Sequence, residues 1–252
     1  QEQERLEYMK LTEAWYMTVP QNLGRHPDWD DLCIDSLEKL AVAERLLDVV
    51  NTVSEVSFEM RWEDRYRSLN IDVEKMKRDE EYEYLETLVA DTHSPHHHVH
   101  LKVHNIYKVT LRSQLGEWFE NRGNVYQLFH GTSNSNLLSI LKHGLSLTHS
   151  TVVNGSMFGR GIYFADMSTK SSQYSVSRFN RSRANKHRTA FLILCDVSLG
   201  RICKFESRAH VTQPPVGHDS VMGVAGNGLL HNEYVIYNPR QHRITHLIEF
   251  SA

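Results

Sequence analysis

Cysteine is scarce in this chain of 252 residues: Cys33, Cys195 and Cys203 are the only three. An odd number with no CxxC spacing excludes a disulfide framework and a thiolate zinc site, and argues for a reducing compartment. Charge of one sign is also lacking. A formal net charge of −3 gives no general basic field, so nonspecific nucleic-acid binding by this chain is not indicated. No stretch is long and apolar enough to span a bilayer, and the N-terminus is charged rather than signal-like, so no membrane partner is expected. There is no GxSxG elbow of a serine hydrolase. Gly159-Arg160-Gly161 is a lone GxG leading into a strand, with no GxxG continuation opening a helix, which excludes a dinucleotide-binding βαβ unit. An initiator Met is missing too, and the expectation is a piece of a longer protein.

What is present is an ordinary globular composition, 40% hydrophobic and 23% charged, long enough to bury a proper core. Residues 1–67 read as helical. Leu6, Met9, Leu11 and Trp15 show partial helical periodicity, Leu32, Leu37, Leu40, Ala43, Leu46, Leu47 and Val50 form a strong apolar stripe, and a third helix is expected over Val56 to Arg67. Glu80 to Asp91 reads as a helix with Tyr84, Leu85, Leu88 and Val89 on one face. A histidine cluster follows: His93, His96, His97, His98, His100 and His104. Imidazoles could hold a metal, but Val99, Leu101 and Val103 alternate with the polar residues. A half-buried strand is the preferred reading, and no metal is expected. The near-continuous apolar run Ala190 to Val197 reads as a central strand buried on both faces. Two last strands are expected at His231 to Tyr237 and Ile244 to Phe250. Arg178, Arg181, Arg183, Lys186 and Arg188 read as a solvated loop, with phosphate-chain binding or a nuclear address as the alternatives.

The stretch from Leu128 to Tyr174 organises the rest. It reads as strand, tight turn, short amphipathic helix, irregular loop, strand and helix. Leu137, Leu138, Ile140 and Leu141 recur at helical spacing, with Asn134 or Ser135 as N-cap and Gly144 as C-cap. Gly131 lacks a Cβ, so a ligand can approach its backbone closely. Tyr163 and Tyr174, with a turn between them, could face each other across a slot suited to a planar cationic ring. On spacing alone a buried strand tyrosine and a surface helix tyrosine are equally open.

Phe129-His130-Gly131-Thr132, then Gly159-Arg160-Gly161-Ile162-Tyr163-Phe164-Ala165-Asp166, then Asn232-Glu233-Tyr234-Val235-Ile236-Tyr237 resemble, in this order, the catalytic domain of the poly(ADP-ribose) polymerases. The resemblance runs with gaps from roughly Ser68 to Ala252. It implies an α+β ADP-ribosyltransferase fold, two packed and mainly antiparallel sheets around an NAD cleft. A small all-α segment precedes it, a partial helical regulatory-type domain at 1–67 before a catalytic domain at 68–252. It also implies an abbreviated or missing first strand, NAD as substrate, protein acceptors of ADP-ribose and a nuclear setting. Any nucleic-acid dependence would come through domains outside this chain.

Residue by residue, the resemblance implies that His130, Tyr163 and Glu233 form the catalytic set. Backbone groups of Gly131 and the hydroxyl of Ser171 would fix the carboxamide of NAD, Tyr163 and Tyr174 would sandwich its ring, and His130 would bond the adenosine ribose. Thr132 and Asn136 would serve the same subsite. Glu44 and Asp48 align with acidic residues facing the adenosine pocket. Arg160 stands where the family commonly has Lys, and Ser146 and Ser156 replace larger residues on the phosphate and acceptor sides. A carboxylate at Glu233 implies a polymerase. The short loop before it leaves a mono-transferase open, and a non-catalytic NAD or ADP-ribose binding module is the reading from another class.

Overall fold

The computed structural model describes residues 7–12, 15, 32–55, 63, 66–67, 69–132, 134–147, 157–175, 189–209 and 211–251. Among the described residues, nine strands form two sheets. The larger contains β1 (Ile71–Lys75), β2 (Lys102–Leu111), β3 (Val125–Gly131), β5 (Ala190–Ser198) and β9 (His242–Ser251), in the order β1-β2-β9-β5-β3 and antiparallel throughout. The smaller contains β4 (Ile162–Phe164), β6 (Ile202–Phe205), β7 (Ser220–Gly223) and β8 (Glu233–Ile236), in the order β4-β8-β7-β6 with β6 and β7 parallel. The helices include α1 (Leu37–Glu55), α2 (Glu80–Asp91), α3 (Leu137–His143) and α4 (Ser168–Ser175), and residues 7–12 are also helical. This is the expected mixed architecture of two packed sheets with helices around them. None of these helices is long and apolar enough to cross a membrane.

Alternation along β5 explains its apolar run. Ile193, Cys195 and Val197 face the smaller sheet and pack with Leu128, Ile162, Phe164, Tyr234 and Ile236. Leu192 and Leu194 point the other way, against Tyr82, Leu85 and Val89 of α2 together with Ile106 and Ile248. A third apolar cluster, Phe158, Val211, Val221, Leu229 and Val235, covers the far face of the smaller sheet. The three cysteines are free thiols.

Several expectations are corrected. The first strand is present as β1, paired along its length with β2. In α2 the buried face is Tyr82, Leu85 and Val89, while Tyr84 turns outward and its hydroxyl donates to Gln127. The helix starts where Asp79 accepts a hydrogen bond from the backbone N–H of Tyr82. In α1 the expected stripe is only partly the buried face. Its Ala43 is buried and its Leu46 half-buried, but Leu37, Leu40 and Leu47 are exposed, while Ala41, outside the stripe, is buried, and the helix lies against α3. Small side chains permit that close approach. The third helix falls mostly outside the described residues, as does most of the segment before Leu32.

The histidine segment is a strand only from Lys102, where Val103 is half-buried between exposed Lys102 and His104 as expected; His93 to His100 lie in a loop before it. Polar residues of that loop bond to α4 and to His231, two residues before β8. Residues 231 and 232 likewise precede β8 instead of opening it, and the last strand begins earlier than expected, at His242. At α3 the N-cap is Asn136, without a side-chain capping bond, after a 3₁₀ turn over Asn134–Asn136. Gly144 does close that helix, in the left-handed region at φ 78.

His242 shows how the core depends on pH. Its Nε2 accepts from the Leu145 N–H at 3.4 Å, and burial pushes the imidazole down to about 4. A folded-state value below the unfolded one means that the unfolded chain binds the proton first. Stability is therefore complete above about pH 6.5 and drains away as pH falls toward 4, by roughly 3 kcal/mol for this one group. Urea midpoints measured across that interval are expected to fall steadily; a flat profile would contradict the assignment.

Candidate active site

Strand parity sets the site. Phe164 lies opposite Tyr234, and Tyr163 opposite Val235, in the β4–β8 pair. Phe164 and Tyr234 face the core between the sheets, so Tyr163, Val235 and Glu233 share the other face of the smaller sheet. β3 is stitched to the end of β4 by two backbone bonds between Phe129 and Ala165, each 2.9 Å. These contacts bring the ends of β3, β4 and β8 together under α4.

His130 follows Phe129 at the end of β3. Its Nδ1 lies 2.9 Å from the Tyr163 carbonyl, which can only accept, so Nδ1 carries the proton and Nε2 is left as an acceptor. Desolvation holds this imidazole below its usual range, and its ring meets Phe164 edge-on at 5.9 Å. The Tyr163 hydroxyl is tied into the preceding turn, donating to the Gly159 carbonyl at 2.7 Å and accepting from the Phe158 N–H at 3.0 Å. Gly159 has a φ of 72, and a Cβ there would lie 1.8 Å from the Val211 carbonyl oxygen. The turn demands glycine, and it leads straight into β4 without opening a helix.

Gly131 is more constrained than its sequence reading allowed. A Cβ at this position would come within 1.7 Å of the Ser171 carbonyl oxygen, so α4 itself, in addition to any ligand, requires the glycine. Ser171 is buried and its Oγ donates to the Phe129 carbonyl at 3.1 Å, a second tie between α4 and β3. Thr132 Oγ1 accepts from Asn136 Nδ2 at 3.0 Å, so these two residues also meet. Tyr174, on the outer side of α4, is 58% exposed, and burial of the remainder plus the nearby Glu233 raises its phenol. The rings of Tyr163 and Tyr174 do not stack on each other. Glu44 lies exposed on α1, Arg160 Nε donates to the Leu147 carbonyl, and Ser156 and the basic run 178–188 lie outside the described residues.

Two residues that the sequence did not single out complete the cluster. Lys170 Nζ makes an ion pair with Glu233 Oε1, both side chains mostly buried. Among the described residues, Glu233 Oε2 is buried with no hydrogen-bond partner. Beside it, Asp166 Oδ2 accepts from Asn232 Nδ2 at 2.9 Å and from the Tyr234 hydroxyl at 3.1 Å, fixing the segment that enters β8. The signal for Lys170 was its place one residue before Ser171, where the turn of a helix aims it toward β8. Among the described residues, no three His, Cys, Asp or Glu side chains are placed to hold a metal ion.

Comparison with known proteins adds a family model described as poly(ADP-ribose) polymerase catalytic domain, which matches residues 79–228, more than half of the chain. The chain belongs to that family. It is 30% identical to poly [ADP-ribose] polymerase 1 of Gallus gallus over 73% of this chain and 21% of that protein. With poly [ADP-ribose] polymerase 2 of Homo sapiens it is 26% identical over 96% of this chain and 47% of the relative. Poly [ADP-ribose] polymerase 1 of Arabidopsis thaliana is 25% identical over 86% of this chain and 24% of its own length. The chain thus spans between about a fifth and just under half of these polymerases.

Two substitutions test the geometry. Gly131→Ala is expected to displace α4 and to lower the denaturation midpoint clearly, because backbone rather than a movable side chain blocks the new methyl. Lys170→Met leaves the Glu233 carboxylate buried and unpaired, at a cost of about 3 kcal/mol. Adding Glu233→Gln is expected to return much of it, so a double-mutant cycle in urea should give a clear coupling. Simple additivity would refute the buried pair.

Proposed function

We propose that this chain transfers ADP-ribose from NAD to protein side chains with release of nicotinamide, and elongates the product into a chain. The observation that carries the proposal is the Glu233 carboxylate. One oxygen is engaged by Lys170 and the other is buried and unpartnered, on the sheet face that it shares with Tyr163. Family membership supports the transferase class, and the elongation step is the finer part of the reading.

Nicotinamide leaves NAD as a neutral molecule from a cationic N-glycosidic bond, so departure needs no general acid, unlike ordinary glycoside hydrolysis. The protein has to hold the carboxamide, expose the bond and stabilise positive charge on the ribose. Backbone groups of Gly131 and the Ser171 hydroxyl hold the carboxamide, and Tyr163 and Tyr174 flank the ring. His130, neutral and with a free Nε2, accepts a hydroxyl of the adenosine ribose, while Thr132 and Asn136 line the same subsite. Glu233 Oε2 takes the 2′-hydroxyl of the nicotinamide ribose and steadies the oxocarbenium-like state. The same carboxylate polarises an incoming ribose hydroxyl, which elongation requires. Lys170 holds the carboxylate in place. Residues 68–252 form the catalytic domain in this reading and 1–67 a partial helical one. The setting is intracellular and nuclear, with protein acceptors as partners.

A second reading, transfer of single units, is favoured by the short connection from β7 to β8, residues 224–232. Incubation with labelled NAD followed by a denaturing gel separates the readings. A ladder is expected, a single shifted band would favour mono-transfer, and absence of label would leave only a binding module. Glu233→Gln is expected to abolish the ladder while leaving binding of a nicotinamide analogue nearly intact. A persistent ladder in that variant would remove Glu233 from its role.

A further inference from the structure

The loop at residues 92–101, which carries most of the clustered histidines, is docked onto α4. Ser168 N donates to the Thr92 carbonyl at 3.0 Å, Ser168 Oγ to the Val89 carbonyl at 2.7 Å, and Ser94 N to Thr169 Oγ1 at 2.9 Å. Two imidazoles close the joint. His97 Nδ1 lies 3.0 Å from Thr169 Oγ1, and His231, just before β8, places Nε2 2.5 Å from Ser94 Oγ. The two rings are 4.7 Å apart.

Ser94 and Thr169 are both fully buried, which makes their hydrogens informative. Ser94 Oγ already accepts from the His96 N–H, and Thr169 Oγ1 from the Ser94 N–H. For each hydroxyl hydrogen the acceptor left among the described residues is an imidazole nitrogen. At His97 this makes Nε2 the N–H, which meets the Gln173 side-chain amide at 2.8 Å and donates once that amide is turned to present its oxygen. A buried hydroxyl is not left without an acceptor, so each ring must present a bare nitrogen. Protonation of either ring would set N–H against O–H.

We infer that His97 and His231 are positioning residues for the transfer step: as neutral rings they fasten the first turn of α4, and with it Lys170, in register with Glu233. This rests on the transferase reading above. The titratable groups facing the pair are His93 and His96 from the same loop, Lys170 from α4 and Asp166 from the turn before it, with Glu233 joined through Lys170. Desolvation first, then the neighbouring imidazoles and Lys170, disfavour the charged rings, and only Asp166, acting on His231, opposes them. Acidification therefore has one sense. It opens both hydroxyl contacts and places cations beside Lys170, so the carboxylate loses its fixed partner.

The test combines a ring titration by nitrogen NMR of the full chain with NAD consumption, both over pH of about 5 to 8. His97 Nδ1 and His231 Nε2 are expected to remain unprotonated to a pH below that of an ordinary histidine. The rate should fall over the same interval, in kcat rather than in KM for NAD. His97→Asn with His231→Gln keeps an acceptor for each hydroxyl but cannot titrate, and is expected to lose this acid limb. Phe at either position keeps no acceptor and is expected to lower kcat about tenfold at neutral pH. An acid limb unchanged in the Asn/Gln protein, or ring signals that titrate as surface histidines do, would overturn the inference. If no NAD is consumed at any pH the transferase reading fails, and the ring titration, which needs no substrate, still decides the hydroxyl lock.

Discussion

A single ion pair between a helix and a strand end, Lys170 to Glu233, is the constraint to which the rest of the site answers. An ionised carboxylate is seldom buried unless a partner offsets its desolvation. Here the partner takes only one oxygen, and the other is left oriented and dry. An acceptor kept from water in this way interacts strongly with developing positive charge, because no solvent shell has to be stripped first. The surrounding parts maintain that geometry. β7 and β4 flank β8, Asp166 anchors Asn232 and Tyr234 on either side of Glu233, and α4 is pressed onto β3 through Gly131 and Ser171.

Packing and chemistry therefore use the same atoms. Tyr163 commits its hydroxyl to the Phe158–Gly159 turn, which fixes the orientation of its ring. Ser171 bonds to the Phe129 carbonyl and still has lone pairs to accept with. His130 is turned by the Tyr163 carbonyl so that its free nitrogen faces away from the strand pair. The family match covers residues 79–228 and stops short of Glu233, yet the strand pairing of β8 carries that residue to the others.

Much of this arrangement was legible in the residues, and the exceptions share a cause. The bounds of α2 and the buried double-sided strand β5 followed from local pattern. The order of the three motifs pointed to the family. Contacts made across long stretches of sequence were not legible. Tyr84 looked like a core residue by spacing, but Tyr82 is the one that faces the sheet. Val99, Leu101 and Val103 alternate as a strand would, and Val103 is in one, yet Ser94 and His97 bond to Thr169, far along the chain, and hold the part before Lys102 as a loop. Gly131 was read as an opening for a ligand, whereas its nearest constraint is a carbonyl of α4. The stripe of α1 was read as leucine-led, but of its described members Ala43 is the one fully buried, beside Ala41 from outside it. Lys170 offered only its place beside Ser171, a slight signal, since a lysine on a helix is usually a solvated one.

β5 has a further consequence for how the molecule comes apart. It is hydrogen-bonded on both edges, to β3 and to β9, and its two faces belong to different apolar clusters. No local fluctuation can release its amides without separating both layers at once. Solvent deuterium should thus enter that strand last, at the rate of global unfolding. Glu233 is tied to that slowly opening slab through its neighbour Tyr234, which packs in the same cluster as Ile193 and Cys195.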